Sequence, residues 1–329
     1  MAHFPNLYWV PLVILFLLKF LGKGGYKNGI LFGLFCGINF VDNLYNAYFI
    51  GLLIPVFLIV PCIYDKSRRR SFLRGPFIKA SLVSLLVFLC VIFPMIYPII
   101  KSVFIASSSQ ATEVVGLSRA FTDLFIFSAK PLDYLVPSKY NPFLGWLVPD
   151  LGFGSLKGHR YTEHTLYLGY SIMALGAYAF YRTVRKAGEL GRSDSARRSV
   201  YLFFVLLIFT VILSAPPFIP LGDYSVDYET REIIAESKFY MPQYFLFKVF
   251  PMFRVYARVG SIVLLALCVL GAFGLKDISL QHQNEQLPGV RRVAVSLASP
   301  IDSLMVLKAV ASILFVKVLP LYMTPACCG

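Results

Sequence analysis

From Val259 to Leu275 the chain runs through an uncharged, largely aliphatic stretch, VGSIVLLALCVLGAFGL, with Arg254 and Arg258 just before it. As helix, this is close to the ~20 residues needed to cross a bilayer hydrocarbon core. Lipid offers no partner for backbone N–H and C=O groups, so only structures that satisfy them internally survive there. This one stretch therefore commits the chain to a membrane helix, and the other apolar blocks must be compatible with it.

They repeat the pattern. The chain is 57% hydrophobic and 15% charged, with a mean hydropathy of +0.70, which excludes a soluble globular protein. Apolar segments fall at Leu7–Leu21, Gly29–Val41, Tyr45–Tyr64, Phe77–Ile100, Thr165–Tyr181, Val200–Leu213, Arg254–Leu275 and Leu304–Tyr322. They predict an all-α polytopic integral membrane protein of about eight transmembrane helices, a single transmembrane domain over residues 1–329. Gly29–Val41 is short for a span, and Asp42-Asn43-Leu44 predicts a tight polar tip before the next helix. Pro94 and Pro98 predict a kink in Phe77–Ile100.

A net charge of +14 raises the question of nucleic acid. The basic residues, however, crowd into short loops: Lys19, Lys23 and Lys27, then DKSRRRSFLRGPFIK, then RTVRKAGELGRSDSARRS. That is the positive-inside bias of a membrane protein, and it argues against a nucleic-acid partner. It predicts a plasma membrane, of bacterial inner-membrane type, with the short basic loops cytoplasmic. Two long loops, about 101–163 and 214–253, then lie outside with both termini. MAHFPNLYWV carries no signal-peptide pattern, and LPLYMTPACCG ends without a polar tail. Both ends read as truncated.

Arg254 and Arg258 are four apart, which on a helix places them on one face. Two readings stay open: snorkelling to lipid headgroups, or a bidentate grip on an anionic phosphate. Asp133, Asp150 and Glu163 are the expected structural partners if the pair is an internal one. His159, Arg160, Glu163 and His164 cluster before a span. They read either as substrate-binding and acid/base groups or as a helix cap by Thr162 or Glu163. The aromatic, proline-rich SAKPLDYLVPSKYNPFLGWLVPD suits a cap over a cavity, or an interfacial aromatic belt. Asp42 is the first outer carboxylate and a candidate base, while Asp223, Asp227 and Glu229 form an acidic group outside. No HExxH, CxxC, GxSxG or GxxxxGK[ST] pattern occurs. No cofactor is called for, and a divalent cation on the outer carboxylates stays an open alternative. Cys36, Cys62, Cys90 and Cys268 lie in apolar runs as small hydrophobes.

FPMFRVYARVGSIVLLALCVLGAFGL resembles the arginine-bearing lead-in and following helix of YfhO-like polytopic membrane proteins. PLDYLVPSKYNPFLG ahead of TEHTLYLGY resembles their preceding extracytoplasmic loop. The layout matches over about 29–275, with these two segments as the specific motifs. The resemblance implies the GT-C class of glycosyltransferases, which draw sugars from polyprenyl-phosphate donors at the outer membrane face. It implies Arg254 and Arg258 as the phosphate site and membrane lipids as surroundings. GT-C enzymes carry a catalytic carboxylate in a large outer loop near the N-terminus, and no such loop precedes the first span here. As a fragment, the chain would have left its base behind with missing helices; as a whole, it would be inactive alone, with Asp42 the available base. A transporter or flippase of lipid-linked sugars is the non-enzymatic alternative, although no internal symmetry is visible.

Overall fold

The computed structural model describes residues 8–65, 69–70, 72, 74–106, 121–137, 145, 166–185, 194–227 and 232–286. The helices are α1 (Val10–Lys23), α2 (Tyr26–Asp42), α3 (Leu44–Tyr64), α4 (Gly75–Ala106) and α5 (Phe121–Ile126). They continue with α6 (Tyr170–Arg185), α7 (Asp194–Ser214), α8 (Pro242–Val249) and α9 (Gly260–Gln286). Strands β1 (Phe218–Asp227) and β2 (Glu232–Tyr240) pair antiparallel between α7 and α8. Among the described residues four helices are long and apolar enough to cross a membrane, at Leu44–Ile63, Gly75–Pro98, Ala196–Ser214 and Tyr256–Ser279; Val10–Gly22 is shorter. The protein is an all-α integral membrane protein, with a β-hairpin among the described residues.

Several boundaries differ from the sequence reading. Helix α4 runs past Ile100 to Ala106, through Pro94 and Pro98, so the expected loop begins as helix. Helix α9 continues past Leu275 through KDISLQHQNEQ, which reads as a polar linker by composition alone. Helix α6 starts at Tyr170 and not at Thr165, because Gly169 stands at φ +86°. The segment expected as a long loop over 214–253 contains the hairpin. Its Pro220 and Gly222 disguise β1, and the register slips between Leu221 and Tyr224, as a bulge beside glycine would make it. The expected span Leu304–Tyr322 lies outside the described residues.

The chain divides into two compact units. The first takes the described residues up to Ile92, Ser171–Leu207 and those from Leu265 onward. Its helices meet through small residues. Gly29, Gly33 and Gly37 repeat every four positions along one face of α2. A Cβ at Gly29 would lie 2.9 Å from the Ala80 carbonyl oxygen of α4, one at Gly37 2.7 Å from Val91 Cβ, and one at Gly33 would run into the Ser84 carbonyl. Removing the side chains lets two backbones approach, which is how helices pack when lipid supplies no hydrophobic drive. Gly274 of α9 does the same against the Leu175 carbonyl of α6. Aromatic rings fill the remainder: Phe20 on Phe77 at 4.9 Å and Phe180 on Phe204 at 3.7 Å. The expected tip is present, with Asn43 accepting from the Tyr45 and Asn46 amides and so starting α3.

The second unit takes Phe93–Tyr170 and Ile208–Leu264. Its centre is Phe218 at the start of β1, fully buried. Phe125 stacks on it at 5.0 Å and Phe121 at 6.2 Å. Phe121 also meets Tyr244 and Phe247 of α8 edge-on, at 5.7 and 5.8 Å. Short as it is, α5 is thus held by its 121/125 face and not by its own helicity.

Candidate functional site

Residues 253–259 link α8 to α9. Phe253, Val255, Tyr256, Ala257 and Val259 are all buried, and only Arg254 and Arg258 are not. The segment is therefore anchored by its apolar side chains and leaves its two arginines half-buried, with Arg258 Nε itself buried. The helical placement expected for the pair does not hold. Arg254 lies in irregular chain, and Arg258 lies in a 3₁₀ turn, Tyr256–Val259, before α9 begins at Gly260. Phe250, Pro251 and the turn that follows end α8 and prevent one continuous helix across both arginines. The apolar run after Arg258 does form helix, and Ser261 Oγ donates to the Arg258 carbonyl at 2.7 Å. Gly260 packs closely under Leu166, since a Cβ there would meet Leu166 Cδ2 at 2.7 Å and the leucine would have to move.

Arg254 pairs with Asp123, Nη1 to Oδ2 at 2.5 Å, and its guanidinium carbon stands 5.3 Å from the centre of the Phe127 ring. Asp123 and Phe127 are four residues apart, on the side of α5 away from the Phe121/Phe125 face. Ala257 N–H donates to the Phe127 carbonyl at 3.0 Å, which fixes the arginine segment to this second face. The pair keeps contact with solvent: the side chains are 34% and 15% exposed. Asp123 is missing from the expected partners. The FTDLFIF signal was present, with an acid framed by aromatics at ±2, but nothing local indicates a contact 131 residues away.

A second polar group lies in the same unit, in the connection between α4 and α6. Lys130 is buried with its Nζ 3.6 Å from the centre of the Phe125 ring. Its backbone N–H donates to Asp133 Oδ2 at 2.8 Å, so Asp133, one of the expected partners of the arginines, bonds within its own turn, Pro131–Asp133. Burial lowers the Lys130 ammonium from 10.5 to about 8, against the opposing pull of Asp133. Tyr134 donates to Ser214 Oγ at 2.7 Å, Ser214 Oγ donates to the Val211 carbonyl, and Ala129 N–H takes the Ser214 carbonyl at 2.8 Å. Gln243 of α8 donates to the Ile212 carbonyl. The last carbonyls of α7, which a helix leaves without partners, are capped by this network. Burial pushes the Tyr134 phenol up, out of reach of ordinary pH.

Asp42 ends α2 in the first unit and is exposed. His159, Arg160, Glu163, His164 and Asp150 lie outside the described residues. So does Glu229, and the side chains of Asp223 and Asp227 are not described. Among the described residues no group of three or more His, Cys, Asp or Glu side chains is gathered in a way that could hold a metal ion. Comparison with protein-family models, curated proteins and solved structures gave no match.

Proposed function

We propose that the second unit binds the phosphate of a lipid-linked sugar at Arg254 and Arg258, as a glycosyltransferase of the GT-C kind using a polyprenyl-phosphate donor. The observation that carries this reading is the anchored segment 253–259, where every residue except the two arginines is buried. Guanidinium groups held at a membrane-helix mouth meet a phosphate without first having to be ordered. Asp123 and the Phe127 ring orient Arg254 while leaving part of it exposed.

In the transfer, the acceptor oxygen bonds to the anomeric carbon as the bond from that carbon to the phosphate oxygen breaks. The acceptor proton passes to a carboxylate, and the electron pair leaves with the polyprenyl phosphate. Arginines facing that oxygen stabilise its developing charge. Asp123, paired with Arg254, is a further base to test alongside Asp42. The basic short loops orient the long connections to the extracytoplasmic side of a bacterial inner membrane.

The test is binding of a short-chain polyprenyl phosphate to the protein in nanodiscs. A charged hydrogen bond is worth about 1.5–3 kcal/mol, so Arg254→Gln and Arg258→Gln should each weaken binding by roughly 10-fold or more. Binding without sugar release from a polyprenyl-phosphate sugar, combined with lipid flipping, would favour the transporter. Wild-type affinity in both variants removes the phosphate site.

A further inference from the structure

Helix α8 is apolar on both sides. Gln243 and Phe247 face inward and are buried, while the outward positions are Pro242, Phe245, Lys248 and Val249. Phe245 is 60% exposed and Val249 67%. The exposed surface extends to Phe239 and Tyr240 at the end of β2 and to Phe250 and Met252 beyond the helix. A helix that is hydrophobic all round is normally a core helix or a membrane span. With 8 residues, α8 is far too short to span. Its outer face therefore needs another apolar environment.

We infer that α8 lies flat in the headgroup–acyl boundary of the same bilayer that α7 crosses, with Phe245 and Val249 in the lipid and Lys248 at anionic headgroups. The occupant is fixed by continuity with the membrane-facing surface. Ile208, Phe209, Val211 and Ile212 are exposed on the last turns of α7, as side chains of a membrane helix are. Gln243 ties α8 directly to that end through the Ile212 carbonyl, and Met241 N–H donates to the Pro217 carbonyl at 2.8 Å. The lipid-facing surface of α7 thus leads into the outer face of α8 where the membrane helix ends. Charge and residue type agree. Lys248 Nζ stands 4.4 Å from the centre of the Tyr244 ring, an aromatic–cation pairing at home at the interface. Aromatic and aliphatic side chains with an adjacent lysine are the composition of helices that lie in the interface plane. This inference stands apart from the phosphate reading.

Depth-resolved quenching tests it on the full chain in nanodiscs. With Trp9→Phe and Trp146→Phe as background, Phe245→Trp and Val249→Trp place one reporter each on the outer face. Both positions are exposed, so either reporter can serve if the other fails to fold. The expected result is blue-shifted emission, quenched several-fold more by lipids brominated near the headgroup end of the acyl chain than at its middle, and little affected by iodide. Brominated phosphatidylglycerol should quench more than brominated phosphatidylcholine, and Lys248→Glu should erase that preference. Emission like tryptophan in water with strong iodide quenching overturns the inference. So does a blue shift without lipid quenching that appears only as the protein dimerises, which would make a second copy the occupant. Equal quenching by the two headgroups in the parent protein overturns the anionic contact of Lys248.

Discussion

The two units hold together by different means. In the first, helices touch where side chains are missing, at Gly29, Gly33 and Gly37 against α4 and at Gly274 against α6. An ion pair in it, Arg198–Asp65 at 2.8 Å, joins side chains 45% and 19% exposed. In the second, buried polar groups close around the end of α7, and aromatic rings pack α5 onto β1 and α8. Shape suffices where both sides of a contact are hydrocarbon. Where chain leaves the membrane helices, backbone and charge must be satisfied one group at a time. The second unit therefore contains buried, positioned titratable side chains such as Lys130, Asp133 and Tyr134.

The contrast is broken most severely at Gly33. Gly33→Leu pushes a side chain into the Ser84 carbonyl and should cost about 3 kcal/mol or more, depleting folded protein in size-exclusion profiles. Gly51→Leu, where an added Cβ meets nothing within 4 Å, should leave the profile unchanged. Equal loss from both would show that shape is not what holds the first unit.

The second unit should respond to pH. Between about 8 and 10.5 the unfolded chain keeps a proton on Lys130 that the folded chain has released. Stability therefore rises with pH across that window, and below it the burial penalty is constant. From pH 10 upward Tyr134 opposes this, since its phenol ionises first in the unfolded chain and stability falls. Melting temperatures should peak near pH 10, and Lys130→Met should flatten the rising limb. A flat profile in the parent protein would contradict the buried ammonium.

Smaller effects sharpen the picture. Tyr134→Phe removes one hydrogen bond to Ser214, whose hydroxyl still donates to Val211, and should cost about 1 kcal/mol in thermal or denaturant unfolding. Asp123→Asn, in a pair that solvent partly screens, should cost about 1 kcal/mol or less. Under the proposed transfer its larger effect should be on turnover, and unchanged turnover would exclude it as the base. Smallest of all, Arg198→Ala should shift stability by no more than about 0.5 kcal/mol, within the range of exposed pairs.

Even helices alike in composition end up in different surroundings. The Gly75–Pro98 and Tyr256–Ser279 stretches both read as plain spans, yet 17% of the first is buried and 67% of the second. Uniform hydrophobicity carries no facing information when lipid and protein interior are equally apolar. The four-residue glycine spacing on α2 did carry such information, legible to anyone counting small residues.

By itself, the sequence determined that this is a helical membrane protein, that a polar tip at Asp42-Asn43-Leu44 precedes α3, and that two arginines precede the last described membrane helix. These follow from local rules of length, hydropathy and side-chain-to-backbone bonding, which need no distant partner. Tertiary structure alone decided that α4 and α9 extend through polar ends, that 218–240 folds as a hairpin, and that Arg254 leaves the helix to meet Asp123. The arginine pair depends on a contact 131 residues away and the hairpin on cross-strand pairing, where the energy of pairing overrides the weak preference of the segment itself.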